Sequence, residues 1–402
     1  MMRSVAGKKG SRRFGSSGDS GGHFGGARVR QSPICALLIE TGGARFYEGA
    51  RAPPERGNTL LRRFERANPI TRGSLGLAHG KQSSSVMHSL PGLNTIEAFQ
   101  AWRADASRCL PAALDIARSH GLPHADAELF PTGTNLVVAL NDRLVLKLFP
   151  PMLRGQFIAE CASLAQLRGR LSVPIPEIVL DGEREQWPYL VITRLPGVMG
   201  TQAWPVLPED QKESVLRQIG ETIAEVQRVP VGRLSSLQPR WDRFMARQIE
   251  GCRARHQRLG LPRKYLDGLD DLLRDAARLI PVNAAPVILT GEYIPENLLL
   301  SREGAGWRLS GLIDFGDVFT GWGEYDLLGP SAFMTGGMPR RVRSLFAGFG
   351  YSEADIGPAL TRRLMALMML HSASDPIRHI CIEDWQQKAG DLGELERLLW
   401  PI

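Results

Sequence analysis

Cysteine is sparse in this chain of 402 residues, and the positions of the few cysteines exclude two classes of protein. There are five, an odd number, and they lie far apart at Cys35, Cys109, Cys161, Cys252 and Cys381. A disulfide framework needs an even set of cysteines, and a structural zinc site needs closely spaced pairs. We expect neither, and reduced cysteines are typical of a cytoplasmic protein.

Long apolar runs are also missing. No stretch of about 18 consecutive apolar residues occurs, so the sequence predicts no transmembrane helix and no membrane partner. The chain is not poor in apolar residues overall, because 43% of it is hydrophobic. That share supports a sizeable core and excludes a chain that is disordered throughout.

An excess of basic charge is absent from most of the chain, although the formal net charge is +7. Residues 1–86 hold 15 Lys and Arg against 5 Asp and Glu, and the remainder holds 34 against 37. We therefore expect no nucleic acid partner for the folded part. Nucleic-acid binding through residues 1–86 is the alternative.

Residues 1–86 are rich in glycine, serine and arginine and show no regular helix or strand period. Three interpretations fit them: a disordered basic tail, a targeting peptide, or sequence upstream of a natural start at Met87. We favour the third interpretation, because periodic structure begins within about ten residues of Met87.

From Asn94 onward the periodicity predicts a β-rich region followed by a helical one. Asn94 and Glu97 form a possible capping box for a helix to about Arg108, and Pro111 can open a second helix that ends at Gly121. Five strands are predicted in the first region, at Glu128–Phe130, Leu136–Leu140, Leu144–Phe149, Glu177–Leu180 and Tyr189–Leu195, with a helix over Gln156–Leu167.

The second region is predicted to be mainly helical, with a short strand pair inside it. Helices are predicted at Glu209–Val226, Arg240–Leu259, Arg263–Leu279, Pro339–Phe349, Ile356–His371 and Trp385–Leu399. Strands are predicted at Pro286–Leu289, Leu298–Ser301 and Trp307–Ile313.

The strongest motif is an acidic residue, an asparagine five positions later, and an aspartate after a strand pair. These residues are Glu292, Asn297 and Asp314, the last followed by Phe315 and Gly316. Phosphoryl transfer needs a carboxylate facing the attacking hydroxyl and hard oxygen ligands for Mg²⁺. We predict Glu292 as the catalytic base and Asn297 and Asp314 as the metal ligands.

A second motif is a lysine within an apolar strand, Lys147, with Glu160 thirteen residues later in the next predicted helix. A buried lysine is costly unless it is paired, and a strand lysine paired with a helix glutamate is the arrangement that kinases place on ATP phosphates. A surface lysine and an unrelated glutamate fit the same residues equally well.

A third motif is the turn that contains Gly133, Thr134 and Asn135, between two predicted strands. A glycine there lets backbone N–H groups approach phosphate oxygens without a Cβ in the way. An ordinary hairpin turn also explains a single glycine.

Taken together, these motifs resemble the aminoglycoside-phosphotransferase and choline-kinase family, which includes hygromycin-type kinases and is itself protein-kinase-like. The resemblance covers about residues 127–328. It implies an α+β, bilobal protein-kinase-like fold, with a small N-terminal β-sheet lobe and one key helix in residues 87–196. Residues 197–402 would form a larger, mainly helical lobe.

The resemblance also implies the ligands. ATP and Mg²⁺ would bind in the cleft, with adenine held by the backbone near Thr193 and Leu195. The acceptor would be a hydroxyl of a small molecule resembling an aminoglycoside, and the protein would be a monomer or a dimer. The Asp of the run Tyr325-Asp326-Leu327 is mainly structural in this family.

Two residues depart from the family's usual His-Gly-Asp, because this chain has Thr290 and Glu292. Glutamate is about 1.5 Å longer than aspartate, and a misplacement of about 1 Å can slow a reaction on the order of 10²-fold. We favour a working kinase in which the loop has adjusted. The alternative is a pseudokinase that binds nucleotide and acts as a binding or scaffolding module.

On the acceptor side, acidic residues of the helical lobe would suit a polycationic aminosugar, and tryptophans could stack on a sugar ring. The acidic candidates are Asp355, Asp375, Glu383 and Asp384, and the aromatic ones are Trp322, Trp385 and Trp400. A solvated acidic surface explains each acidic residue at least as well, and ordinary core packing is the favoured interpretation for each tryptophan.

Overall fold

The computed structural model describes residues 88–131 and 133–402, and these residues form two lobes. The predictions for residues 1–86 and for a start at Met87 lie outside the described residues. The boundary at residues 196 and 197 stays a prediction, since one apolar core cluster includes side chains from both sides of it.

The N-terminal lobe consists of two helices, a sheet and one further helix. In chain order the elements are α1 (Ile96–Arg103), α2 (Ala106–Ser119), β1 (Glu128–Leu129), β2 (Leu136–Ala139), β3 (Leu144–Leu148), α3 (Arg154–Leu167), β4 (Ile178–Arg184) and β5 (Trp187–Thr193). The five strands form an antiparallel sheet in the order β1-β2-β3-β5-β4. The predicted five-stranded lobe with one key helix is confirmed.

The predicted bounds of the first two helices are wrong. Thr95, not Asn94, caps α1, because its Oγ1 accepts the N–H of Ala98. Asp105 caps α2 by accepting the N–H of Ser107, which separates the two helices. Pro111 lies inside α2 rather than at its start, at the cost of one backbone hydrogen bond in the second turn.

Because side chains alternate along β3, the two faces of the sheet pack against different parts of the protein. Leu146 and Leu148 pack with α1 and α2, in a cluster where the rings of Trp102 and Trp187 lie 5.2 Å apart. Val145 and Phe149 belong to the other cluster, with α3 and the C-terminal lobe. Because strand side chains alternate with a period of two, Lys147 lies on the same face as Val145 and Phe149.

The C-terminal lobe begins with helices and continues with strands. Its first elements are β6 (Val198–Met199), α4 (Gly200–Ala203), α5 (Glu209–Arg228), α6 (Trp241–Arg258), α7 (Arg263–Leu266) and α8 (Leu269–Leu279). The next are β7 (Val287–Leu289), β8 (Leu298–Glu303), β9 (Gly306–Leu312) and β10 (Phe319–Gly321). The last are α9 (Leu328–Phe333), α10 (Pro339–Phe349), α11 (Pro358–Leu370), α12 (Pro376–His379), α13 (Trp385–Lys388) and α14 (Leu392–Leu399).

Several predicted elements of this lobe need correction. Two predicted helices, Arg263–Leu279 and Trp385–Leu399, are each divided into two shorter ones. The strands β6 and β10 were not predicted, since two or three residues are too few to show a period. Within the described residues β8 and β9 form a three-stranded sheet with β6, and β7 pairs with β10.

The β8–β9 hairpin fixes the relative positions of two predicted metal ligands. Its register pairs Leu298 with Leu312, and the N–H of Ile313 donates to the carbonyl of Asn297 at 3.0 Å. Asn297, which directly precedes β8, and Asp314, which follows β9, therefore lie at the same end of the hairpin. Helix α5 supports β9, because Gln218 Oε1 accepts the N–H of Leu309.

No helix in the described part of the chain is both long enough and apolar enough to cross a membrane.

Candidate active site

An ion-pair chain joins the two lobes through Lys147. Its Nζ lies 2.6 Å from Glu160 Oε2 on α3 and 2.9 Å from Asp314 Oδ1 after β9. Lys147 is only 4% exposed and Glu160 only 1%. The predicted pairing of Lys147 with Glu160 is present, and Asp314 is a second partner that had not been predicted.

Lys147 and its two carboxylate partners shift one another's pKa values. Burial works against the Lys147 cation, but Asp314 and Glu160 outweigh it and raise the lysine pKa. Burial raises the pKa of Glu160 to about 7, although Lys147 opposes the shift. Burial also works to raise the pKa of Asp314, but Lys147 prevails and holds that pKa below its ordinary value. Lys147 is therefore cationic and Asp314 anionic at neutral pH.

The side chain of Glu292 is held by its own loop. Asn297 Nδ2 donates to Glu292 Oε2 and to the Glu292 carbonyl, both at 3.2 Å. Burial raises the pKa of Glu292 well above its ordinary value, and the nearby carboxylates Asp317 and Asp314 add to the shift. Glu292, Asn297 and Asp314 are thus brought together at one site.

Asp326 fixes the backbone at the start of this loop. Its two carboxylate oxygens accept the N–H groups of Thr290 at 3.2 Å and Gly291 at 2.8 Å. Gly291 has a φ of +76°, a conformation that favours glycine. Burial raises the pKa of Asp326 to about 7. Its contacts are those of a structural residue.

The side-chain oxygens of Asn297 and Asp314 are suitable ligands for a Mg²⁺ ion. The Asn297 amide nitrogen faces two acceptors of Glu292, which assigns Oδ1 to the opposite side of the amide group. The Asp314 side chain is 36% exposed, with Oδ1 toward Lys147. No group of three or more His, Cys, Asp or Glu side chains in the described residues is arranged to hold a metal. Phosphate oxygens and water would have to complete the coordination.

Sequence reasoning missed a bridge between the glycine turn and this site. Gln156 Oε1 accepts from Asn135 Nδ2 at 3.2 Å, and its Nε2 donates to Asp317 Oδ1 at 2.9 Å. Gln156 lies four residues before Glu160 and therefore on the same face of α3. That spacing was the one signal in the sequence that could have indicated Gln156.

The glycine turn has the backbone freedom that was predicted for it. Gly133 is exposed with a φ of +104°, and none of the described residues beyond its chain neighbours lies within 4 Å of an added Cβ. Thr134 is half-buried and Asn135 is buried, and its Oδ1 has no hydrogen-bond partner in the part of the chain that the structure describes. Thr132 lies outside the described residues.

The predicted adenine-binding segment follows β5. The N–H of Thr193 donates to the Glu177 carbonyl and that of Arg194 to the Arg143 carbonyl. Among the described residues, no hydrogen bond involves the N–H of Leu195. Leu195 therefore offers a backbone donor at the place predicted for adenine.

A comparison with models of protein families identifies the family of this chain. The model described as the phosphotransferase enzyme family matches residues 126–357, which is more than half of the chain. The chain belongs to this phosphotransferase family. The predicted phosphotransferase that acts on an alcohol group is thereby confirmed at the level of the family.

Solved structures of aminoglycoside phosphotransferases share the fold. The GDP and kanamycin complex of APH(2″)-IIIa is 22% identical, with a TM-score of 0.53 over 63% of this chain and 86% of that one. The GDP complex of wild-type aminoglycoside 2′-phosphotransferase-IIIa is 20% identical, with a TM-score of 0.55 over 71% of this chain and 95% of that one. These likenesses confirm the predicted bilobal kinase-like fold.

The residues suggested for the acceptor of this phosphotransferase lie elsewhere or have other contacts. Asp355 is exposed and accepts from Ser352, and Asp375 is buried beside Arg378. Glu383 and Asp384 are on the segment before α13. Trp385 and Trp400 are buried in the core, and the Trp322 indole donates to Glu324.

Proposed function

We propose that this phosphotransferase moves the γ-phosphoryl group of ATP to a hydroxyl group of a small molecule. The observation that carries the proposal is the contact chain from Glu160 through Lys147 to Asp314, which ends beside Glu292 and Asn297. A cation, two candidate metal ligands and a carboxylate close together between the lobes support the proposal. These are the groups that phosphoryl transfer requires.

Each residue has a separate role in the proposal. Lys147, held by Glu160, binds the α- and β-phosphate oxygens. Gly133, Thr134 and Asn135 lie over the phosphates, and the backbone near Thr193 and Leu195 binds the adenine. Glu292 accepts the proton of the acceptor hydroxyl.

Asn297 and Asp314 would hold the metal ion. Mg²⁺ in that place neutralises phosphate charge and orients the terminal phosphate. Because Lys147 already contacts Asp314, the carboxylate keeps its negative charge in the absence of the ion. The cleft therefore retains a charged ligand for a divalent cation.

The structural relatives named above are complexes with GDP, so the test should also establish which purine nucleotide this protein uses. Turnover with ATP and with GTP should be compared at equal Mg²⁺, by release of the nucleoside diphosphate. We expect ATP to be used, and kanamycin, which is present in one relative, is one of several alcohols to be tested as acceptors. Mass spectrometry of the acceptor should show the addition of one phosphate group.

Glu292 in place of the usual aspartate motivates a pseudokinase as the alternative. Binding of MgATP is measured separately from transfer, by calorimetry. Binding without transfer to any alcohol would support the pseudokinase, and the absence of MgATP binding would contradict both. Oligomeric state stays a prediction of monomer or dimer.

A further inference from the structure

A cavity lies beside Glu292, between α3 and the C-terminal lobe, and several aromatic side chains are part of its lining. Its lining among the described residues includes Gln238, Phe244, Phe319, Tyr325, His371 and Ser372. Glu292 and Asp317 lie at the end toward the phosphate site. An acceptor that presents a hydroxyl to Glu292 would therefore place the rest of its body against these aromatic residues.

The aromatic side chains form a rigid wall. Phe244 and Phe319 are in contact, with ring centroids 5.2 Å apart, and Tyr325 packs edge-on against both. His371 stacks on Tyr325 at 4.6 Å with an interplanar angle of 17°. Such a wall favours a flat, uncharged ring face over an ammonium group that needs water or a carboxylate.

The charge behind this wall is unfavourable for a polycation. Arg255 lies behind Tyr325 and His371, and its Nη2 donates to the Met369 carbonyl at 2.7 Å. Burial lowers the pKa of His371 to about 3, so this imidazole is neutral at pH 7. Two carboxylates nearby do not line the cavity: Asp326 is buried and accepts the N–H of Gly291, and Asp375 is buried beside Arg378.

We propose that the acceptor is an uncharged alcohol with an apolar ring face, such as a glycoside with an aromatic aglycone, and not a polycationic aminosugar. This inference rests on the proposed role of Glu292. The two carboxylates of the cavity lie at its phosphate end, where the acceptor hydroxyl and the metal would engage them. The rest of the lining is uncharged, and besides the aromatic side chains it contains Pro239 and Val318 together with neutral polar groups such as Ser372 and Gln238.

The first test measures acceptor binding to the full chain without nucleotide, in about 0.15 M salt so that weak surface attraction is screened. The probes are 4-nitrophenyl β-D-glucopyranoside and uridine, which are uncharged, and kanamycin, which is polycationic. We expect at least one uncharged probe to bind at least tenfold more tightly than kanamycin. Tighter binding of kanamycin than of both uncharged probes would overturn the inference.

Two variants test the location of binding. Ser372→Trp should fill the cavity and weaken binding of the uncharged probe at least tenfold, with MgATP binding as the check that the variant is folded. Gln238→Glu adds a carboxylate at an exposed lining position and should strengthen kanamycin binding several-fold. Gln257→Glu is the matched control, because Gln257 is exposed near the other end of α6.

The outcomes separate this inference from the proposed function. Unchanged binding in a folded Ser372→Trp variant, or equal effects of Gln238→Glu and Gln257→Glu, would overturn the assignment of the cavity. If the uncharged probes bind as expected but receive no phosphate, the cavity stands as a binding site for an uncharged alcohol and the proposed transfer is wrong.

Discussion

Glu292 shows how a side chain one methylene longer than usual is accommodated. Its carboxylate does not extend freely into the cleft, because Asn297 Nδ2 contacts both Oε2 and the backbone carbonyl of Glu292. The loop backbone is fixed in turn by Asp326 through Thr290 and Gly291. The Glu292 carboxylate is therefore held against Asn297, one of the two predicted metal ligands.

Changing Glu292 should affect turnover more than nucleotide binding. Glu292→Gln keeps the shape and removes the base, so kcat should fall on the order of 10²-fold or more, with little change in the KM for ATP. Glu292→Asp keeps the base but shortens its reach, and an intermediate loss is expected. Steady-state kinetics with a fixed acceptor would measure both. Glu303→Gln, on the surface of the hairpin, is the control.

Asp314 is the second residue whose role can be tested with a single substitution. Its φ is +65°, a conformation that asparagine tolerates better than alanine does. Asp314→Asn should therefore fold while losing the charged metal ligand, and Mg²⁺-dependent turnover should fall on the order of 10²-fold. A Mg²⁺ titration of kcat compares it with Asp267→Asn, an exposed change. Equal Mg²⁺ dependence in the two variants would argue against the metal assignment.

At the scale of elements, helix α3 connects three parts of the site. Glu160 pairs with Lys147 on β3, and Gln156, one turn earlier, reaches both Asn135 and Asp317. The same helix face thus couples the strand lysine, the glycine turn and the segment after Asp314. A displacement of α3 would disturb all three at once.

Removing the Gln156 bridge should weaken nucleotide binding. Gln156→Met has a similar volume but leaves Asn135 and Asp317 without their partner, which we expect to cost about 1–3 kcal/mol of stability. The KM for ATP should rise several-fold, more than the KM for the acceptor. Gln166→Met on the same helix is the control, because Gln166 is half-buried further along α3 and its Nε2 donates to the Pro230 carbonyl rather than to a residue of the site. Equal effects on both KM values would indicate a purely structural role.

The elements that sequence could predict are those whose signals are local. Short runs of residues predict the strands of the N-terminal lobe. The spacing between Asn297 and Asp314 is likewise visible in the sequence, and it agrees with the register of the β8–β9 hairpin. The break between α1 and α2 depends on Asp105, a single capping side chain. The sequence predicted this break too late in the chain, between Arg108 and Pro111, because the apolar period continues across Asp105.

What sequence could not predict are contacts between distant segments. Asp314 meets Lys147 across 167 positions, and Gln156 meets Asp317 across 161. The aromatic cavity combines residues such as Phe244, Tyr325 and His371, and no local pattern relates them. The acidic residues suggested for an acceptor were chosen for their charge alone, whereas their actual surroundings are set by tertiary packing.

At the scale of the whole molecule, the two lobes are connected by an ion pair as well as by the polypeptide backbone. The Lys147–Asp314 contact spans the cleft, and Glu160 provides a second negative partner from the N-terminal side. Binding of a metal and phosphates to this cleft would share the same groups. Ligand binding and lobe contact are therefore coupled through Lys147.

The core of the larger lobe contains a buried neutral histidine that should make stability depend on pH. His256 is 0% exposed, and its Nε2 lies 2.8 Å from the Met369 carbonyl. Burial lowers its pKa from 6.5 to about 4. The unfolded chain thus binds a proton more readily than the folded one, so the stability from His256 is complete above pH 6.5 and is lost as pH falls toward 4.

We expect this histidine to account for about 3 kcal/mol of acid destabilisation over that range, from a pKa difference of about 2.5 units. His256→Gln keeps a donor for Met369 and removes the titration. Urea unfolding of both proteins between pH 8 and pH 4 gives the difference in unfolding free energy, in which contributions from other titrating groups such as Asp326 cancel. The difference should be constant above pH 7 and should shift in favour of the variant below pH 6.5. A constant difference down to pH 4 would show that His256 is not the group responsible.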